Sequence, residues 1–111
     1  MSAPLSESLF HGTSTPLKEG SNVKPLKTVS GQAGTRHLAY ATPDLEEAKS
    51  YAADRAHAEG MLFGPVYAVS KHEGDWPKRR TVPSFVRPKK YVTHVISEKG
   101  FAVNKLIGWG S

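Results

Sequence analysis

Residues 37–60 read HLAYATPDLEEAKSYAADRAHAEG, and the fold class turns on how that stretch is parsed. His37 to Thr42 reads as a short strand that ends at a helix start. Thr42 can cap, Pro43 suits the first helical position, and Asp44, Glu46 and Glu47 sit where the helix dipole favours anions. Leu45, Ala48, Tyr51 or Ala52, and Ala56 recur at three- and four-residue spacing, and Gly60 supplies the stop. The pattern predicts one strand running directly into one alanine-rich helix.

On the N-terminal side, residues 1–8 are small and polar and read as a flexible start, and Ser8 to His11 reads as a short strand delivering into Gly12-Thr13. Residues 14–36 carry Pro16, Gly20, Pro25, Gly31 and Gly34 with few periodic apolar positions, which predicts a long irregular connection. On the C-terminal side, Pro65 to Ser70 is rich in strand formers, and Lys71 to Lys89 reads as a basic loop with three prolines. Lys90 to Ser97 reads as another strand, and Glu98-Lys99-Gly100 as a hairpin turn into a strand from Phe101 to Ile107. One strong helix among several short strands argues against a regularly alternating parallel sheet. It favours a small α+β domain over residues 9–111, with mostly short antiparallel strands and one main helix. A single helix covers one sheet face, so either two sheets pack together or one face stays wet.

Composition limits the chemistry. A chain of 111 residues holds one core and one compact site, and 38% apolar with 23% charged residues is the balance of an ordinary globular protein. With no cysteine, thiol catalysis, disulfides and Cys-ligated metals are excluded. The five histidines (His11, His37, His57, His72, His94) are scattered without the i, i+4 spacing of a zinc site, so no metal is expected. Gly31-Gln32-Ala33-Gly34-Thr35 lacks the lysine and following helix of a phosphate loop, and no Gly-x-Ser-x-Gly elbow occurs. No window approaches a membrane span and the first residues do not form a secretory leader, so a cytoplasmic protein without a membrane partner is expected.

Fifteen Lys and Arg against ten Asp and Glu give a net charge of +5. The excess lies between Lys71 and Lys99, where eight basic residues face Glu73, Asp75 and Glu98. That segment is either a solvated edge kept from self-pairing by its charge or a surface for phosphates, and nucleic acid is a possible partner through it. Trp76, Phe85 and Tyr91 lie in the same segment and offer stacking surfaces, with core and hairpin packing as the competing use.

Leu9-Phe10-His11-Gly12-Thr13 places an imidazole at a strand end, followed by a glycine that lets a ligand approach the backbone. The plainer reading is a packed histidine with Gly12 adopting a positive φ. Tyr40 follows 29 residues after His11, and Asp75 follows 35 residues after Tyr40, in Glu73-Gly74-Asp75-Trp76-Pro77. This order resembles the His-Tyr-acidic pattern of the small ADP-ribosyltransferases, in particular the rifamycin ADP-ribosyltransferase family. The resemblance runs from about Leu9 to Ile96 and takes in His-Gly-Thr, Leu17-Lys18-Glu19-Gly20, Tyr40-Ala41-Thr42 leading into the Ala-rich helix, and Val66-Tyr67-Ala68-Val69.

What the resemblance implies is an ADP-ribosyltransferase-type fold that transfers ADP-ribose from NAD, as co-substrate, to an acceptor with release of nicotinamide. His11 would hold the nicotinamide ribose, Gly12 the carboxamide through its backbone, Thr13 would add a hydroxyl, and Tyr40 would stack on the nicotinamide ring. Asp75 would face the ribose carbon that becomes cationic as nicotinamide leaves, or orient the acceptor. The loop from Ser14 to Arg36 would line the site, and Arg79, Arg80 or Arg87 could meet the pyrophosphate. The chain lacks the family's Glu-Pro-x-Gly-Pro step after Tyr67, so Glu73 competes with Asp75 for the acidic position, and the acceptor stays unidentified. The RNA 2′-phosphotransferases share His-Gly-Thr but would want His or Arg where Tyr40 stands. A non-catalytic binding module of the same fold, or a basic domain for nucleic acid or protein, is the alternative.

Overall fold

The computed structural model describes residues 8–30, 34–84 and 86–111. The expected helix is α1, Leu45–Ala58, and its buried face is Glu47, Ala48, Ala52 and Ala56. Asp44 caps it by accepting the Glu47 amide at 3.1 Å, which corrects the expectation that Thr42 is the cap and Pro43 the first helical residue. Thr42 is still extended. Its backbone exchanges two hydrogen bonds with Phe10, at 2.8 and 3.0 Å, and its hydroxyl donates to the Thr93 carbonyl at 2.9 Å. A residue committed to a bridge cannot also open a helix, so the helix begins two residues later.

Among the described residues the strands are β1 (Leu9–Gly12), β2 (Asn22–Val23), β3 (Leu26–Ser30), β4 (Gly34–Ala41), β5 (Gly64–Lys71), β6 (Lys78–Pro83), β7 (Tyr91–Ser97) and β8 (Phe101–Gly110). They form two four-stranded sheets, ordered β1-β5-β8-β2 and β3-β4-β7-β6, and every pairing is antiparallel. The chain is thus a small domain of one helix and antiparallel strands, and of the two arrangements open to a single helix it takes the one with two sheets. Leu9, Tyr67, Val69, Phe101 and Val103 from the first sheet meet Ala39, Ala41 and Val95 from the second in one buried cluster. Ala48 and Ala52 meet Val66, Phe10 and Ile107 on the opposite face of the first sheet. The layers are therefore helix, sheet, sheet.

Three glycines set the spacing of the first two layers. A Cβ added at Gly12 would lie 2.9 Å from the Ala52 Cβ and deep inside the Ala48 carbonyl oxygen. At Gly64 it would meet the Ala52 carbonyl carbon at 2.9 Å, and at Gly110 the Lys49 carbonyl carbon at 2.8 Å and the Ala53 amide at 3.0 Å. Apart from the Ala52 Cβ, which is fixed to its backbone, these obstacles are backbone atoms that cannot swing aside. Glycine on the strands and alanine on the helix let the two backbones approach where larger side chains would separate them.

Three further expectations are corrected. Residues 14–36 are not one irregular connection, because they contain β2, β3 and the start of β4; Leu26 to Ser30 pairs with Leu38 back to Gly34 in a hairpin. Gly31 to Ala33, like residues 1–7 of the expected flexible start, lie outside the described residues. Lys71 to Lys89 is not simply a loop, because Lys78 to Pro83 forms edge strand β6 against β7. Its prolines fall before the strand, at its last residue and beyond it, where the ladder does not need their missing N–H. Finally, Glu98-Lys99-Gly100 is not a hairpin turn, since β7 and β8 belong to different sheets. Phe101, fully buried at the start of β8, draws the chain from one sheet into the other. Gly100, with φ at 90°, makes the corner, and the Ser97 hydroxyl accepts the amides of Lys99 and Gly100 at 3.0 and 3.1 Å.

Gly110→Ala tests the close approach away from any cavity. It should destabilise the domain by about 1–3 kcal/mol, the usual range for overpacking a tight contact. For a chain of this size that lowers the thermal midpoint by roughly 4–8 °C per kcal/mol, read by circular dichroism.

Candidate functional site

The Phe10–Thr42 bridge brings the end of β1 against the end of β4, and the first turns of α1 close over the same point. A cleft of about 170 Å3 opens there, lined by His11, Gly12, Tyr40, Thr42, Glu47, Ala48, Tyr51 and His94 among others. A cavity of about 150 Å3 takes up benzene, so this cleft has room for one six-membered ring. Its lining is mostly apolar, and His11, Tyr40, Thr42, Glu47, Tyr51 and His94 are the lining residues that carry polar side-chain groups.

His11 Nδ1 lies 2.8 Å from the Tyr40 carbonyl oxygen. A carbonyl only accepts, so Nδ1 carries the proton and Nε2 keeps its lone pair. Burial pushes the His11 imidazole below its ordinary value, and the bond to the Tyr40 carbonyl opposes that in part. The neutral ring is therefore oriented, with an acceptor nitrogen available to a hydroxyl. His94 stands edge-on to Tyr40, ring centroids 6.3 Å apart and planes at 71°. Burial also lowers the His94 pKa, the Glu47 carboxylate raises it, and Arg80 lowers it again.

The expected site residues separate into two groups. His11, Gly12 and Tyr40 line one cleft, although 29 residues of sequence lie between His11 and Tyr40. Gly12 is in strand β1 opposite Val66 and is not among the positive-φ glycines, so its small size serves the helix contact. Thr13 does not line the cleft, and its hydroxyl accepts the Thr15 amide at 3.2 Å. Asp75 lies elsewhere. It lines a second cavity of about 460 Å3 with Leu38, Trp76, Lys78, Arg79, Arg80 and Ile96, and it accepts the Ser97 hydroxyl at 2.6 Å. Glu73 lines neither cavity. Arg79 and Arg80 belong to the second cavity, whereas Arg87 is paired with the helix cap Asp44 at 2.7 Å and holds that carboxyl below the usual range.

The cleft's own acid is Glu47, only 1% exposed, which accepts the Ser84 hydroxyl at 2.8 Å. The sequence places Glu47 only in the helix dipole, Tyr51 only on the helix stripe and His94 only among the scattered histidines. The signal was present in part, because Glu47 and Tyr51 are four apart and share a helix face. His94 needed the pairing of β4 with β7. Among the described residues, the loop expected to line the site supplies none of those lining the cleft. Among the described residues no cluster of three or more metal-ligating side chains occurs, and no helix is long and apolar enough to cross a membrane. No protein-family model, curated protein or solved structure matches the chain.

A partly buried, neutral histidine links stability to pH. The folded pKa of His11 lies below its unfolded value of about 6.5, so its contribution is complete above that pH and is lost as pH falls from there through the depressed folded value. The urea midpoint should therefore drop between pH 7 and 5. His11→Gln keeps a donor for the Tyr40 carbonyl but does not titrate, and should flatten the drop to the part owed to His94.

Proposed function

We propose that the chain transfers ADP-ribose from NAD to an acceptor, with the nicotinamide end of NAD in the cleft between β1, β4 and α1. The observation that carries this reading is the His11–Tyr40 unit: a neutral, oriented imidazole and an aromatic ring lining one ring-sized cleft beside Gly12. The order of these residues and the one-helix antiparallel fold agree with the resemblance to the small ADP-ribosyltransferases. NAD supplies the ADP-ribosyl group and, in nicotinamide, a leaving group already carrying positive charge on its ring.

In this reading His11 Nε2 accepts a ribose hydroxyl, a role its neutral tautomer suits. The Tyr40 ring stacks on nicotinamide in an offset contact worth about 0.5–1.5 kcal/mol beyond burial. A negative charge near the ribose carbon stabilises the transition state more than the ground state, because positive charge grows there as the bond to nicotinamide breaks. Among the described residues Glu47 is the carboxylate lining this cleft, and it takes that role ahead of Asp75, which lines the second cavity. The two cavities adjoin along β4 and β7: Tyr40 lines the first, and its register partner Ile96 lines the second.

Calorimetric titration of NAD tests the reading without knowledge of the acceptor. Saturable binding is expected, weakened at least about tenfold by Tyr40→Ala, the combined effect of lost stacking and lost burial. Glu47→Gln should keep NAD binding within a few-fold while slowing nicotinamide release. No binding at millimolar NAD, or equal binding by Tyr40→Ala, overturns the proposal.

A further inference from the structure

We propose that the second cavity docks single-stranded nucleic acid, with a base stacked on Trp76 and neighbouring phosphates on Lys78, Arg80 and Lys99. This goes beyond the NAD reading and does not rest on it. The cavity, about 460 Å3, opens where the Gly74 turn leads into edge strand β6. Leu38 and Ile96 give it an apolar lining, and Lys78, Arg79, Arg80 and Lys99 outnumber Asp75 and Glu98. Asp75 is tied to the Ser97 hydroxyl.

Trp76 is 83% exposed, and Lys71 Nζ sits 5.1 Å from its ring centroid. A cation against one face of an indole orders the ring and leaves the other face available. Lone exposed aromatics are common and need no partner. This one borders a cationic cavity with an apolar lining, which is the combination single-strand binders use: aromatic faces for bases, positive charge for the backbone. Lys78 and Arg80 are two residues apart on one strand and so point to the same face, about 6.6 Å apart. That matches the order of spacing between successive phosphates of a strand. An acidic peptide would satisfy the cations but leave the indole uncovered, and a duplex keeps its bases stacked out of reach.

The test is fluorescence anisotropy with labelled single-stranded twelve-mers of dT and U, alongside a matched duplex, heparin and phosphatidylserine vesicles. Saturable single-strand binding is expected, with log affinity falling against log salt at about 0.7 per phosphate contact, so a slope near −2 for three contacts. Trp76→Ala should weaken it about 5- to 150-fold with the slope unchanged, while Arg80→Ala should reduce the slope by about 0.7. Trp76 is exposed, so the variant should melt as the parent does and should bind NAD as the parent does. The proposal is overturned by absent binding at 50 mM salt, by a Trp76→Ala variant that binds like the parent, or by duplex or heparin bound as tightly as the single strand. Tighter binding to the vesicles also overturns it, in favour of a lipid surface. NAD titrated separately keeps the two readings apart, since either can fail with the other intact.

Discussion

The distance between α1 and the first sheet governs the rest of the molecule. Gly12, Gly64 and Gly110 leave no side chain between strand and helix, and Ala48 and Ala52 supply the smallest ones from the other side. At those three points the contact depends on fit, with dispersion at short range contributing what bulk does not, while Phe10, Val66 and Ile107 supply the larger apolar side chains beside them. Because only three residues separate the end of β4 from the start of α1, seating the helix also fixes where β4 ends. The cleft is a by-product of that seating. Its walls are the ends of β1 and β4, and its roof is the first turns of the helix.

Within the cleft, polar chemistry is set by burial. A histidine shielded from water is held neutral, and a main-chain carbonyl decides which nitrogen keeps its proton. Glu47 would be costly at 1% exposure without partners, and the Ser84 hydroxyl is one of them. The segment after β6 therefore reaches back to hold an acid on the helix. Arg87 does the same for Asp44, and a single short connection between β6 and β7 steadies both the cap and the cleft.

The sequence was most legible where local signals agreed. Alanine spacing, first-turn acids and Gly60 located α1, and one helix with several short strands led to an antiparallel α+β domain. Legibility ended where pairing across the chain decides. The glycine- and proline-bearing stretch before β4 hides β3, whose partner is β4 itself. The prolines around β6 mark its limits but resemble loop signals, and an edge strand with four exposed polar or charged residues has no apolar alternation to announce it. The Glu98–Gly100 turn has hairpin composition, and only the burial of Phe101 sends the chain into the other sheet. For the cleft, the resemblance to the small ADP-ribosyltransferases grouped His11, Gly12 and Tyr40. The acidic residue was sought by spacing in the C-terminal half, whereas the acid lining the cleft comes from a helix whose buried stripe was read for its alanines.

Ser97 ties the second cavity to the crossing between the sheets. Its oxygen receives the amides of Lys99 and Gly100 while its proton goes to Asp75, so one hydroxyl links cavity wall and corner. Opening the corner at residues 97–100 breaks the two amide bonds to that oxygen, so amide exchange at Lys99 and Gly100 reports local opening at the wall of the cavity itself.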